Sequence, residues 1–162
     1  MAQLRVLLAR LGYTQVATLL NSGNAVFQAT DGTAANHARD IAQAIARGLK
    51  MEVPVIVKLA RELSDIIAEN PIRAPAAEHS KLLVGFVQDP KTLAELEALR
   101  SLVVPPEQFA VGKRAAYLLC ATGILESKAA AAMLGKAGRS ATSRNMATVL
   151  KLEALAKNPG KD

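Results

Sequence analysis

A chain of 162 residues suits one ordinary domain or two small packed halves, and its 51% hydrophobic content, spread along the whole length, argues against disorder. No apolar run approaches the roughly 20 residues that span a bilayer. The formal charge of +6 is uneven: residues 1–80 hold eight Lys/Arg against seven Asp/Glu, and residues 81–162 hold twelve against seven. An anionic partner is therefore expected at the C-terminal half, the alternative being a solvated basic surface that aids solubility.

In chain order, Leu4, Leu7, Leu8 and Leu11 recur at helical spacing, and Gly12 stops that helix. Arg5 and Arg10 interrupt this apolar stretch, unlike a signal peptide, so a cytoplasmic protein is expected. Residues 15–21 and 24–29 are β-prone runs flanking Ser22-Gly23, a hairpin signal. Asp31 and Thr33 precede a helix over about 35–49. Pro54 then opens a strand, VPVIVKL, and a helix around Glu62–Glu69 ends before Pro71. The stretch NPIRAPAAEH breaks the periodicity and reads as a linker, dividing the chain into halves 1–72 and 73–162.

After it the order repeats. A strand is expected near 81–88, a helix near 91–100, strands near 107–111 and 115–121 about a Gly112-Lys113 turn, an Ala-rich helix from Ser127, and a last helix from Thr142 to Lys157. Alternation of this kind, with hairpins, indicates an α+β protein with antiparallel sheets: two ferredoxin-like, split βαβ halves, the first lacking a strand before its first helix.

Cys120 is the only cysteine and lies in the apolar run AAYLLCA, where a buried inert thiol is expected. Neither His37 nor His79 shows metal-ligand or catalytic spacing, so no metal or cofactor is expected and no catalytic residue can be named. Residues 127–151 carry Lys128, Lys136, Arg139, Arg144 and Lys151 and no acidic residue. If Thr142-Ser143 caps the last helix, its N-terminal amides attract anions, with Lys136, Arg139, Ser143, Arg144 and Asn145 as candidate ligand-binding residues. Arg144 could equally pair with Glu126 or Glu153 of the same chain. Ser22 and Asn24 are further candidates as hydrogen-bonding groups, against a reading in which they merely close the hairpin turn. With three Phe, two Tyr and no Trp, a base-stacking platform is not expected, which leaves weak non-specific contact with nucleic-acid phosphates.

Two motifs carry a family resemblance. The run Leu11-Gly12-Tyr13 through Leu19-Leu20-Asn21-Ser22-Gly23-Asn24-Ala25-Val26-Phe27 resembles the opening hairpin of the bacterial domain of unknown function 1697. Ser127-Lys128, Leu134-Gly135, Thr142-Ser143-Arg144-Asn145, Thr148-Val149 and Lys151-Leu152 resemble its C-terminal motif. The resemblance implies two ferredoxin-like subdomains and no established activity. Members usually begin with a strand of the form YxALLRGINVGG. Its absence here implies a fragment, a start codon placed too late, or another element filling the gap. The family's Trp after the Arg-Asn pair is Met146 in this chain, which keeps packing but not aromatic stacking.

The functional expectation is an uncharacterised cytoplasmic protein that binds an anionic metabolite or nucleic-acid backbone through its basic C-terminal segment. The alternatives are an enzyme acting on a phosphorylated or carboxylated metabolite at a cleft between the halves, and a protein–protein module. Oligomeric state is not legible.

Overall fold

The computed structural model describes residues 1–135 and 139–159. By its internal contacts the chain divides into two units, Met1–Ala60 with the residues from Lys151 onward, and Arg61–Leu150. The proline-rich segment read as a linker falls within the second unit.

The first unit begins with α1 (Ala2–Arg10), which Gly12 terminates at φ +90°, a left-handed conformation cheap only for glycine. Strands β1 (Thr14–Leu19) and β2 (Asn24–Gln28) then form an antiparallel hairpin, with Leu19 opposite Asn24 and Ala17 opposite Val26. Helix α2 (Ala34–Leu49) starts where Thr33 Oγ1 accepts from Asn36 N at 3.2 Å, which satisfies one of the amides a helix N-terminus leaves open. Its buried face, Ile41 and Ile45, packs with Leu8 and Tyr13, and Phe27, Val55 and Val57 pack around them.

The expected strand at 53–59 does not form: residues 51–59 belong to no strand. Pro54 has no N–H to give to a ladder, and the apolar alternation serves instead to turn Val55 and Val57 onto the core.

The second unit holds α3 (Ala60–Glu69), β3 (Leu82–Val87), a helical run of 3-10 turns about α4 (Leu93–Leu96), β4 (Gln108–Val111), β5 (Ala115–Leu119), α5 (Lys128–Leu134), β6 (Ala141–Asn145) and the start of α6 (Met146–Lys157). The sheet order is β4-β5-β3-β6 with every neighbouring pair antiparallel. From β3 to β6 the connectivity is β-α-β-β-α-β, that of a split βαβ sheet. The α+β class with antiparallel sheets is thus observed.

Because side chains alternate along a strand, the register sorts the residues by face. Leu83, Val87, Ala116, Leu118 and Ala141 point toward α4 and α5, joining Leu96, Leu99, Ala130 and Met133 in the largest buried cluster. Leu82, Val84, Phe86 and Tyr117 line the opposite face, where Tyr117 Oη donates to the α3 carbonyl of Ile66 at 2.6 Å. Both faces are covered, so β3 is buried along its full length. Among the described residues no helix is long and apolar enough to cross a membrane.

Candidate functional site

The largest revision of the sequence reading concerns residues 141–145. Thr142 does not open a helix. It lies in β6, paired with Phe86 of β3, and the helix begins at Met146. The Ser/Thr cap signal was misleading because these small polar and β-branched residues suit an edge strand equally well. The true cap is Asn145, whose Oδ1 accepts from Thr148 N at 2.9 Å.

This relocation changes what each basic-segment residue can do. Ser143 stands opposite Gly85 on the face toward α5, its Oγ shielded from solvent and without a hydrogen-bond partner among the described residues. Arg144, opposite Val84, points to the other face. It donates to Thr142 Oγ1 at 3.1 Å and to the Ser143 carbonyl at 2.8 Å. Burial lowers its pKa from the usual arginine value, yet a guanidinium stays charged at neutral pH. Alternation thus separates Ser143 from Arg144. Arg139 is exposed in the turn before β6, and Lys136 lies outside the described residues.

Ser22 and Asn24 belong to the first unit's hairpin. Asn24 is only 6% exposed, and its Nδ2 donates to Leu19 O at 3.2 Å and Ser22 Oγ at 2.8 Å. These bonds close the turn across Gly23, whose φ is +76°. Cys120 is buried, as expected. Burial pushes its thiol pKa up, with a Ser127 hydrogen bond opposing, and this disfavours the reactive thiolate. Among the described residues no cluster of three or more His, Cys, Asp or Glu side chains could hold a metal.

Asn145→Ala should therefore cost about 0.5–2 kcal/mol, the range for losing an N-cap. Ser143→Ala should be neutral or stabilising, since it deletes an unsatisfied hydroxyl. Urea unfolding of both variants checks this; the opposite ranking would restore the helix start at Thr142.

A cavity of about 440 Å³ lies in the second unit, bordered by α3, the 70–79 segment, β3 and the first turns of α6. Ile72, Leu82 and Met146 are buried in its wall. The 70–79 segment is held in place rather than loose. Asn70 Nδ2 donates to Ile72 O at 3.1 Å, Asn70 Oδ1 accepts from Ile72 N at 3.0 Å, and Ala147 N reaches His79 O at 3.4 Å. Arg73 and half-buried His79 also line the cavity. Neither side chain is hydrogen-bonded or ion-paired to another described residue. Sequence reasoning passed over Arg73. The available signal was Ile72-Arg73, a large apolar residue beside a cation in a stretch otherwise rich in Pro and Ala.

The family described as "Protein of unknown function (DUF1697)" matches residues 1–117. The chain belongs to this family. The C-terminal motif at 127–152 lies beyond the matched residues. No curated protein matches. Among solved structures, the conserved bacterial protein SP0830 from Streptococcus pneumoniae is similar, with a TM-score of 0.76 and 20% identity. The match covers 96% of this chain and 88% of that one. At this identity the likeness shows the fold alone.

Proposed function

We propose that this protein binds a small anionic metabolite at the second-unit cavity, with Arg73 supplying the ionic contact. The observation that carries this reading is the pairing of a guanidinium and an imidazole, neither engaged by another described residue, with a recess of about 440 Å³ that has no acidic residue among the described residues of its lining. An arginine fork recognises a carboxylate or phosphate through two parallel hydrogen bonds. The surplus positive charge of residues 81–162 adds a favourable long-range field, so the basic segment steers the ligand while Arg73 holds it. Arg144 contributes less, because its guanidinium is already occupied by Thr142 and the Ser143 carbonyl.

Titration of the full chain with a panel of carboxylates and phosphates, followed by backbone amide NMR, tests the reading. Shifts should centre on Ile72, Arg73 and His79, and Arg73→Ala should weaken binding more than Arg144→Ala or Lys151→Ala. Equal small losses from all three, with single-stranded nucleic acid binding that falls steeply with salt, would instead mark a diffuse basic surface.

A further inference from the structure

The polar supply of the cavity is smaller than its length of lining suggests, and this narrows the ligand. Asn70 spends one donor and one acceptor of its amide on the Ile72 backbone, which leaves Arg73 and His79 as the polar side chains of the lining with no partner among the described residues. The remainder of the wall is apolar, including Ile67, Ile72, Leu82, Met146 and Leu150. Resting on the anion-site reading, we propose that the ligand is an amphipathic monocarboxylate: one carboxylate on Arg73, with an aliphatic or aromatic body lying over that apolar wall.

Three physical arguments favour this class over sugar phosphates and nucleotides. A single guanidinium fork matches one carboxylate, whereas a phosphate dianion would find one guanidinium for two charges, with only the His79 ring beside it and the rest of its surroundings apolar side chains. The hydroxyls of a sugar would find few side-chain partners in the lining beyond Arg73, His79 and Asn70. No Phe or Tyr lines the recess to stack on a base. Size fits as well: at the roughly 30 Å³ that liquid water allots to each non-hydrogen atom, the volume takes on the order of a dozen such atoms. Met146, unbranched and polarisable, can adapt to bodies of different shape.

The test is calorimetric and NMR titration of the full chain with acetate, hexanoate, octanoate, 1-octanol, inorganic phosphate and AMP. From acetate to octanoate affinity should rise by about fourfold per methylene buried. Octanol should bind at least tenfold more weakly than octanoate. Arg73→Gln should remove at least tenfold of the octanoate affinity and leave octanol unchanged, and Arg73→Lys should recover part of the loss. Arg73 is exposed, so these variants are expected to keep the fold. Phosphate or AMP binding at Ile72, Arg73 and His79 as tightly as octanoate would overturn the amphipathic ligand while leaving an anion site in place. Octanoate binding insensitive to Arg73→Gln would overturn the carboxylate contact. Absence of any shift at these residues with every compound would overturn both the ligand class and the anion site.

Discussion

Truncating Met133 to alanine should destabilise the protein by about 2–5 kcal/mol, and adding Gly85→Ala to that variant should return part of the loss. Met133 is 2% exposed in α5, within the cluster formed by Leu83, Leu96, Leu118 and Ala130, so its removal leaves a cavity that the packed neighbours fill only in part. Gly85 in the central strand β3 faces it. A Cβ there would collide with Met133 Cε. In the parent, Gly85→Ala must push the flexible end of Met133 aside within a closely packed cluster and should cost about 1 kcal/mol, offset in part by the lower entropy of an unfolded chain that lacks the glycine. Once Met133 has been shortened, the same methyl enters vacated space and the sign reverses. Urea unfolding of the four proteins of the double-mutant cycle measures the coupling, expected at about 0.5–3 kcal/mol. Additive effects would mean that Met133 does not occupy the space above Gly85.

Both units show what was legible in the sequence. Turns and caps were, because their chemistry is local: Gly12 and Gly23 take positive φ, and Thr33 and Ser127 each accept from an amide three residues on. The β3, β4 and β5 runs were legible from apolar content and the Gly112-Lys113 turn. The 141–145 segment was not, since Ala-Thr-Ser-Arg-Asn reads equally as a helix entrance. What decides it is pairing with β3 across more than fifty residues of chain, which no local pattern contains. The 53–59 segment failed in the opposite way. Its alternation reports burial correctly, yet burial does not require a ladder.

The candidate site was less legible for a related reason. The basic segment stood out because like charges cluster in sequence, whereas the cavity is assembled from α3, residues 70–79, β3 and α6. A stretch with two prolines looks like a connector, and only the Asn70–Ile72 bonds reveal that it is a wall. His37 was equally silent. In the first unit it shares a 2.9 Å hydrogen bond with Tyr13 Oη and sits edge-on to that ring, a packing role with no sequence signature.

Glu69 should prove the most sensitive charged position outside the apolar core, with Glu69→Ala costing about 1.5–3 kcal/mol, the range for hydrogen bonds to an ionised group. Its Oε1 accepts from Arg114 N at 2.9 Å and its Oε2 from Arg114 NH1 at 3.0 Å, so one carboxylate fastens the end of α3 to the β4–β5 turn. With Glu69 at 18% side-chain exposure and Arg114 at 41%, the carboxylate is shielded better than in the Arg100–Glu97 pair, where both partners are about half exposed and little stability is at stake. Beside it, Tyr117 Oη donates to Ile66 O and lies 3.4 Å from Glu69 Oε1. Burial first, and then the Glu69 charge, push the Tyr117 pKa up from its ordinary value of 10.0. A raised pKa means that the folded state holds the phenolic proton more tightly than the unfolded chain does. The resulting stability is fully present below about pH 10 and is lost as pH rises beyond it toward the folded pKa. Tyr117→Phe removes that dependence while leaving the Ile66 carbonyl without its donor, so at pH 7 it should cost about 1–3 kcal/mol. The stability gap between Tyr117→Phe and the parent should then narrow as pH is raised from 9 to 11, measured by urea unfolding at each pH. A gap that stays constant over that range would mean that Tyr117 ionises as readily in the folded protein as in the unfolded chain, and that the Ile66–Glu69 end of α3 does not enclose it.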